Sequence, residues 1–285
     1  MNMTASYNIL QCTPYQLRFQ VMKPIRLDEL RNHFFCSKKH WNRCTDFSIP
    51  TLEPKKNYTI SFKMQAKSCE YSNQPVSVVY EDSFCIVAFK PAFLLVHDDG
   101  HHTDTLQGRI NAYLDSQKWP YNAQAIHRID TEASGLVLFC KFPFFQPFFD
   151  HQMGTHLIQK EYLCIVKGIL SSKHGILQNP IAKDRHDAKK MRISKTGKPC
   201  STLYTVLEEK SNTSLIQVQI QTGRRHQIRV HMKNLGHPIY NDPLYGKIED
   251  SRGMLLQSKQ LRFHVPFQKD PVTVISPKDP RMILE

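Results

Sequence analysis

The sequence predicts an α+β fold: a large mixed, mostly antiparallel sheet with flanking helices, preceded by a small N-terminal unit. Three observations predict it. From Val76 to Val265 the chain returns repeatedly to short runs rich in β-branched and aromatic residues, separated by turn residues. Only three stretches between those runs carry the apolar spacing of a helix. Neither an internal repeat nor a G-x-G-x-x-G loop occurs, which disfavours a nucleotide-binding α/β fold.

In chain order, Leu17, Phe19 and Val21 alternate as a strand does, and Tyr58, Ile60 and Phe62 repeat the pattern. Between them Leu27 to Trp41 reads as one basic helix, with Leu27, Leu30 and Phe34 on one face. Residues 1–73 are therefore expected to form an auxiliary unit, with Ser72 to Pro75 as a linker. Residues 76–285 form the second domain. Its expected strands are Val76 to Tyr80, Cys85 to Phe89, Gly135 to Cys140, Tyr162 to Val166, Thr202 to Leu207, Leu215 to Ile220 and Leu261 to Val265. Its expected helices are Thr105 to Ser116, Phe145 to Met153 and Gln227 to Leu235.

The 285 residues suffice for one large domain with a small appendage. Hydrophobic content of 40% and charged content of 22% exclude wholesale disorder. The charge is less ordinary. Lys and Arg number 38 against 25 Asp and Glu, a formal charge of +13, which points to an anionic partner. No run reaches the ~20 apolar residues of a membrane span, and the opening residues lack the pattern of a secretory signal. The eight scattered cysteines suit neither a disulfide framework nor a zinc ribbon. Cys85, Cys140 and Cys164 lie in apolar runs as small hydrophobes. A reducing compartment, the cytoplasm, is expected.

Three segments carry more polar residues than packing needs. In His127 to Gly135, the side chains of Arg128, Asp130 and Glu132 crowd a loop just before an apolar strand, where a carboxylate can sit at a cleft floor. In Gln221 to His231 a strand turns at Gly223 and opens a helix whose first turns hold Arg224, Arg225, His226 and Arg229. Cations there oppose the helix dipole, so their purpose is to hold anions: phosphates, or a carboxylate from elsewhere in the fold. The third is Lys160-Glu-Tyr162, which opens an apolar strand. His226 and His231 lie five apart, not the i, i+4 spacing of a ligand pair, and with His101 and His102 suggest metal only superficially.

Together these motifs resemble the RluA-like family of RNA pseudouridine synthases. Its H-R-L-D-x-x-T-S-G motif is matched by His127 to Gly135, and its K-x-Y strand by Lys160 to Tyr162. Its T-G-R-x-H-Q-I-R-V-H, L-G-H-P-I and D-x-x-Y-G strings are matched by Thr222 to His231, Leu235 to Ile239 and Asp242 to Gly246. Lys90 to His97 resembles K-P-x-G-L-x-V-H. The likeness spans Val76 to Pro266. It implies a central RNA-binding cleft and isomerisation of uridine to pseudouridine in structured RNA, without cofactor or metal.

By that resemblance Asp130 is the catalytic carboxylate, either nucleophile at C1′ or base at C2′, kept ionised by Arg229. Tyr162 stacks on the uracil or accepts a proton. Arg128 enters the RNA where the flipped base was. Ile129 and Leu256 line the uracil pocket, although Leu256 also suits ordinary core. Arg224, Arg225, Lys189, Lys190 and Arg192 contact RNA, the last three within the basic stretch Lys183 to Lys198. Ribosomal RNA is the first choice of target and transfer RNA the second, and a monomer is expected.

Four positions depart from the family: Thr131 where a basic residue is frequent, Ala133 for Thr, Gln257 for His, and Phe93 for Gly. Arg26 to Leu30 echoes the R-L-D-x-x-L start of a small RNA-binding domain, without the glycine and valine pattern that follows it. Two rival functions remain: a non-catalytic RNA-binding or ribosome-assembly factor on this scaffold, and a metal-dependent nucleic-acid hydrolase.

Overall fold

A computed structural model describes residues 6–63, 71–98, 100 and 104–284. Residues 6–63 build a three-stranded antiparallel sheet in the order Tyr7–Cys12, Gln16–Val21, Asn57–Ser61. The single helix expected from Leu27 to Trp41 is two helices, Leu27–His33 and Lys38–Cys44. The break falls at Phe35, whose φ of 57° a helix cannot continue, and Ser37 caps the second helix by accepting from the His40 N–H. This sheet and its helices share one core cluster with part of the second domain. Phe34 packs edge-on against Phe144 at 5.3 Å, and Phe62 against Phe142 at 4.8 Å. Buried rings each contribute roughly 1.5–3 kcal/mol.

The second sheet has ten strands and contains all seven expected in residues 76–285, most extended by a few residues. Its main path runs His174–Leu177, Thr202–Lys210, Thr213–Ile220, Gln159–Lys167, Leu256–Phe263, Ser134–Cys140, Cys85–Lys90, Ser77–Glu81. Neighbours are antiparallel except one central pair, Leu256–Phe263 beside Ser134–Cys140. The seam is tight. An ideal Cβ on Gly135, whose φ is +111°, would sit 2.3 Å from the Ser258 carbonyl oxygen, so only glycine fits.

That parallel pair positions the site. Parallel strands begin at the same edge of the sheet, so the segments leading into Ser134 and into Leu256 arrive side by side. Ser258 pairs with Gly135 on one side and with Tyr162 on the other. One row across three strands therefore brings the 127–133 loop, the Leu256 strand start and Tyr162 together. The three expected helices are present at Leu106–Ser116, Gln146–Gly154 and Gln227–Asn234. Cys85, Cys140 and Cys164 are buried thiols, as expected; Cys69, His101 and His102 lie outside the described residues. Among the described residues no helix is long and apolar enough to cross a membrane.

Candidate active site

The Asp130 loop is tied down from outside and within. The Ala133 N–H closes a turn on the Asp130 carbonyl at 3.1 Å, and the Thr131 carbonyl accepts from the Phe93 N–H at 2.6 Å and from Lys90 Nζ at 3.0 Å. Lys90 is fully buried, and its ammonium also donates to the Pro91 and Leu94 carbonyls at 2.8 Å. Desolvation pushes its pKa down to about 7, partly offset by Asp130 and Glu132. Phe93, at a family glycine position, has φ of 67° and is 65% exposed. Glycine would hold that geometry without strain.

The second loop differs from its expected form. The helix begins at Gln227, with His226 in a left-handed conformation before it, so Arg224 and Arg225 precede the helix rather than occupy its first turns. The physical reason is Gln227. Its Oε1 accepts from the Thr222 hydroxyl at 2.7 Å and the Arg224 N–H at 3.1 Å, while Nε2 donates to the Ser201 carbonyl and Thr202 hydroxyl at 2.9 Å. These four bonds fold the Thr222–His226 segment back against the sheet. His226 and His231 have separate partners: His226 Nδ1 pairs with the Tyr245 hydroxyl at 2.9 Å, and His231 with Thr202 and the Asn179 carbonyl.

In the first turn of the helix, Arg229 is 1% exposed and joins the two loops. NH1 donates to Asp130 Oδ2 at 2.9 Å and lies 3.7 Å from Glu132 Oε2. Nε and NH2 donate in parallel to Asp242 at 2.8 Å each. The Tyr245 ring lies against the guanidinium, 5.3 Å from centroid to Cζ. Burial opposes the Arg229 charge, but the bonds from Asp242 and Asp130 outweigh it and hold its pKa above the ordinary value. The Tyr245 hydroxyl accepts from the Met191 N–H at 2.7 Å and is paired with His226 Nδ1 at 2.9 Å. Burial first, then Arg229 and Arg225, push His226 down to about 4, against the pull of Asp130 and Asp242. The imidazole is therefore neutral at neutral pH.

A cavity of about 200 Å³ opens between these loops, and its lining includes Arg128, Ile129, Asp130, Lys160, Tyr162, Arg224, Arg229 and Leu256. Tyr162, Leu256, Ala133 and Ile228 belong to one buried apolar cluster. Burial, reinforced by Asp130, pushes the Tyr162 phenol well above its usual range. Gln257, at the family histidine position, points away from the cavity set and donates to the Ser276 hydroxyl at 2.9 Å and the Pro277 carbonyl at 2.8 Å. A second hollow of about 480 Å³ is lined by Arg128, Asp130, Lys189 and Arg225 among others. Arg225 also fixes the neighbouring loop by donating to the Lys189 carbonyl at 3.0 Å.

Of the expected site residues, Asp130, Tyr162, Arg229, Arg128, Arg224, Ile129 and Leu256 meet at the first cavity, and Arg225 and Lys189 at the second. Lys190 and Arg192 line neither. Lys190 lies 3.6 Å from Asp187, and Arg192 belongs to the short strand Met191–Ile193, paired with Ile181–Lys183. The basic stretch is thus largely the loop 184–190 of a short hairpin and the residues that follow it. Asp242, Tyr245, Gln227 and Lys160 were not singled out as site residues. The Asp242-Pro-Leu-Tyr-Gly string was the available signal, since an Asp at that spacing can accept the N–H groups of Leu244 and Tyr245, as it does at 2.9 and 3.0 Å.

The RNA pseudouridylate synthase family matches residues 85–234, more than half of the chain, and the chain belongs to that family. Asp130, Tyr162 and Arg229 fall inside the matched region. Over 197 residues the chain is 34% identical to "Uncharacterized RNA pseudouridine synthase YlyB" of Bacillus subtilis, covering 67% of this chain and 65% of that protein. Over 187 residues it is 36% identical to "Ribosomal large subunit pseudouridine synthase D" of Borreliella burgdorferi, covering 63% and 57%. The match thus spans less than two thirds of these relatives' own length. In fold, it resembles human RNA pseudouridylate synthase domain containing 1, with a TM-score of 0.62 at 23% identity, over 75% of this chain and 86% of that one.

Proposed function

We propose that this protein isomerises uridine to pseudouridine in structured RNA, with Asp130 as the catalytic carboxylate. The observation that carries this reading is the Arg229–Asp130 hydrogen bond of 2.9 Å at the wall of a cavity floored by Tyr162 and Leu256. As a nucleophile Asp130 attacks C1′ while the N1–C1′ bond breaks, the uracil turns, and C5 attacks C1′ and expels the carboxylate. As a base it takes the C2′ proton while N1–C1′ breaks and returns it when C5 joins C1′. By either route C5 loses a proton and N1 gains one. The cavity accepts a nucleobase only after it leaves the stack. Arg128, exposed at the rim, fills the gap left in the RNA and offsets part of the few kcal/mol that extrusion costs.

The raised Tyr162 phenol suits stacking on the uracil better than proton acceptance, because a base must first be deprotonated. Large-subunit ribosomal RNA is the first candidate target, following the name of the Borreliella relative; transfer RNA is the second. The protein acts as a cytoplasmic monomer with residues 1–73 as an auxiliary unit, Arg224, Arg225 and Lys189 bordering the RNA.

The test is to incubate ribosomal RNA lacking pseudouridine with wild type and with Asp130→Asn, then count pseudouridines. Product from wild type alone supports the reading. Equal product removes Asp130 as the catalyst, and RNA binding without product from either leaves a non-catalytic RNA-binding factor.

A further inference from the structure

Four lysine or arginine side chains are buried among the described residues: Lys90, Lys141, Lys160 and Arg229. Three have their charges answered. Lys90 donates to three carbonyls, Lys141 to Glu81 and the Asp82 carbonyl, and Arg229 to Asp130 and Asp242. Lys160 is 8% exposed and has no hydrogen bond or ion pair among the described residues. Its Nζ keeps a little contact with solvent at the cavity that Lys160 lines, and a largely desolvated ammonium there is expected to gain an acceptor from a ligand.

The position of Lys160 says which ligand. It lies two residues before Tyr162 on the Gln159–Lys167 strand, and the alternation of side chains puts both on one face. Two strand residues span about 6.6 Å, comparable with the reach from a nucleobase to the phosphates of its own nucleotide. Nζ lies beside Gly223, where a Cβ would come within 3.2 Å of it. Lys160 and Ile220 also line a separate groove of about 550 Å³, whose other walls include Gln159, Gln219, Gln221, Thr222 and Gln260. Lys160 is thus where the catalytic cavity and this glutamine-rich groove adjoin. Amide side chains both donate and accept, which suits nucleotide edges and riboses.

We propose that Lys160 binds a backbone phosphodiester of the RNA next to the flipped uridine, and that the adjoining groove receives the flanking nucleotide. This rests on the reading of the site as an RNA-modifying one. A strand whose base stacks on Tyr162 leaves the cavity over Lys160 and enters the groove. The cation then holds the backbone in place while the base turns.

The experiment measures binding of transcribed large-subunit ribosomal RNA across a salt series, for wild type, Lys160→Met, Lys160→Gln and Lys160→Arg, with thermal melts to show that each is folded. Both neutral variants should bind about three- to tenfold more weakly, and the slope of log affinity against log salt should shrink by about one. Lys160→Arg should keep the wild-type slope. Unchanged slope and affinity in the folded neutral variants overturns the proposal. So does a fall in single-turnover rate at unchanged slope, which would put the cation on the uracil itself. Pseudouridine counts from wild type on the same transcript judge the isomerase reading independently of these slopes.

Discussion

Arg229 meets Asp242 through two parallel hydrogen bonds of 2.8 Å and leaves only NH1 for Asp130. Asp242 is fully buried and also accepts two backbone N–H groups, whereas the Asp130 side chain is 22% exposed and open to the cavity. Asp242 therefore aims the guanidinium, and Asp130 receives what is aimed. Asp242→Asn leaves Arg229 buried with half its countercharge, so stability should fall by about 3 kcal/mol and pseudouridine formation by at least about tenfold. Asp130→Asn should abolish formation yet shift stability by less than about 1 kcal/mol. Urea unfolding of both variants reads the contrast, and equal losses of stability would contradict it.

At Gly135 the backbone of the neighbouring strand occupies the space of a Cβ, and φ lies at +111°. Gly135→Ala therefore combines backbone strain with a clash that no rotamer relieves. The expected cost is more than about 3 kcal/mol, with lower soluble yield. Chemical denaturation measures it. A loss under about 1 kcal/mol would mean that the parallel seam opens easily, and that the row linking Gly135, Ser258 and Tyr162 does not fix the site.

The sheet was legible because each of its long strands carries its own apolar or alternating pattern, from Cys85–Lys90 to Leu256–Phe263. The order of those strands was not, since pairing is decided by contacts such as Ser258 on Gly135 that leave no local periodicity. The break at Phe35 escaped notice because Leu27, Leu30 and Phe34 keep helical spacing up to it. In the site, the Asp130–Arg229 pair was legible through motif order alone; the geometry adds Asp242, whose role depends on a turn that only the folded chain displays. Lys160 stands out in the sequence only as part of the Lys160-Glu-Tyr162 motif, with no role of its own. Its missing partner becomes visible only when every other buried cation is seen to have one.

Acid should destabilise the protein through its histidines. Burial lowers His127 to about 3, with Lys160 adding to the effect, and lowers His226 to about 4. Unfolded histidine titrates near 6.5. Between about pH 4 and 6.5 the unfolded chain binds protons that the folded chain refuses, so stability is full above 6.5 and falls as pH drops through that window. Each such histidine adds a slope of up to about 1.4 kcal/mol per pH unit. Melting temperatures from pH 7 down to pH 4 check it; a flat profile would mean that these imidazoles become charged within the folded protein.

Phe93 should be a source of strain that substitution can relieve. It has φ of 67°, is 65% exposed, and its backbone N–H, which any residue but proline supplies, donates to the Thr131 carbonyl. Its ring lies over Gly253, where a Cβ would come within 2.6 Å of Cζ, so some contact would be lost on shortening the side chain. A left-handed conformation costs an ordinary L-residue about 1–2 kcal/mol, and asparagine tolerates it far better. The exposed ring buries too little apolar surface to offset that cost. Phe93→Asn should therefore gain about 0.5–1 kcal/mol in urea unfolding while the Asp130 loop keeps its anchor. A loss of stability instead would show that the ring's contact with Gly253 outweighs the strain at its own backbone.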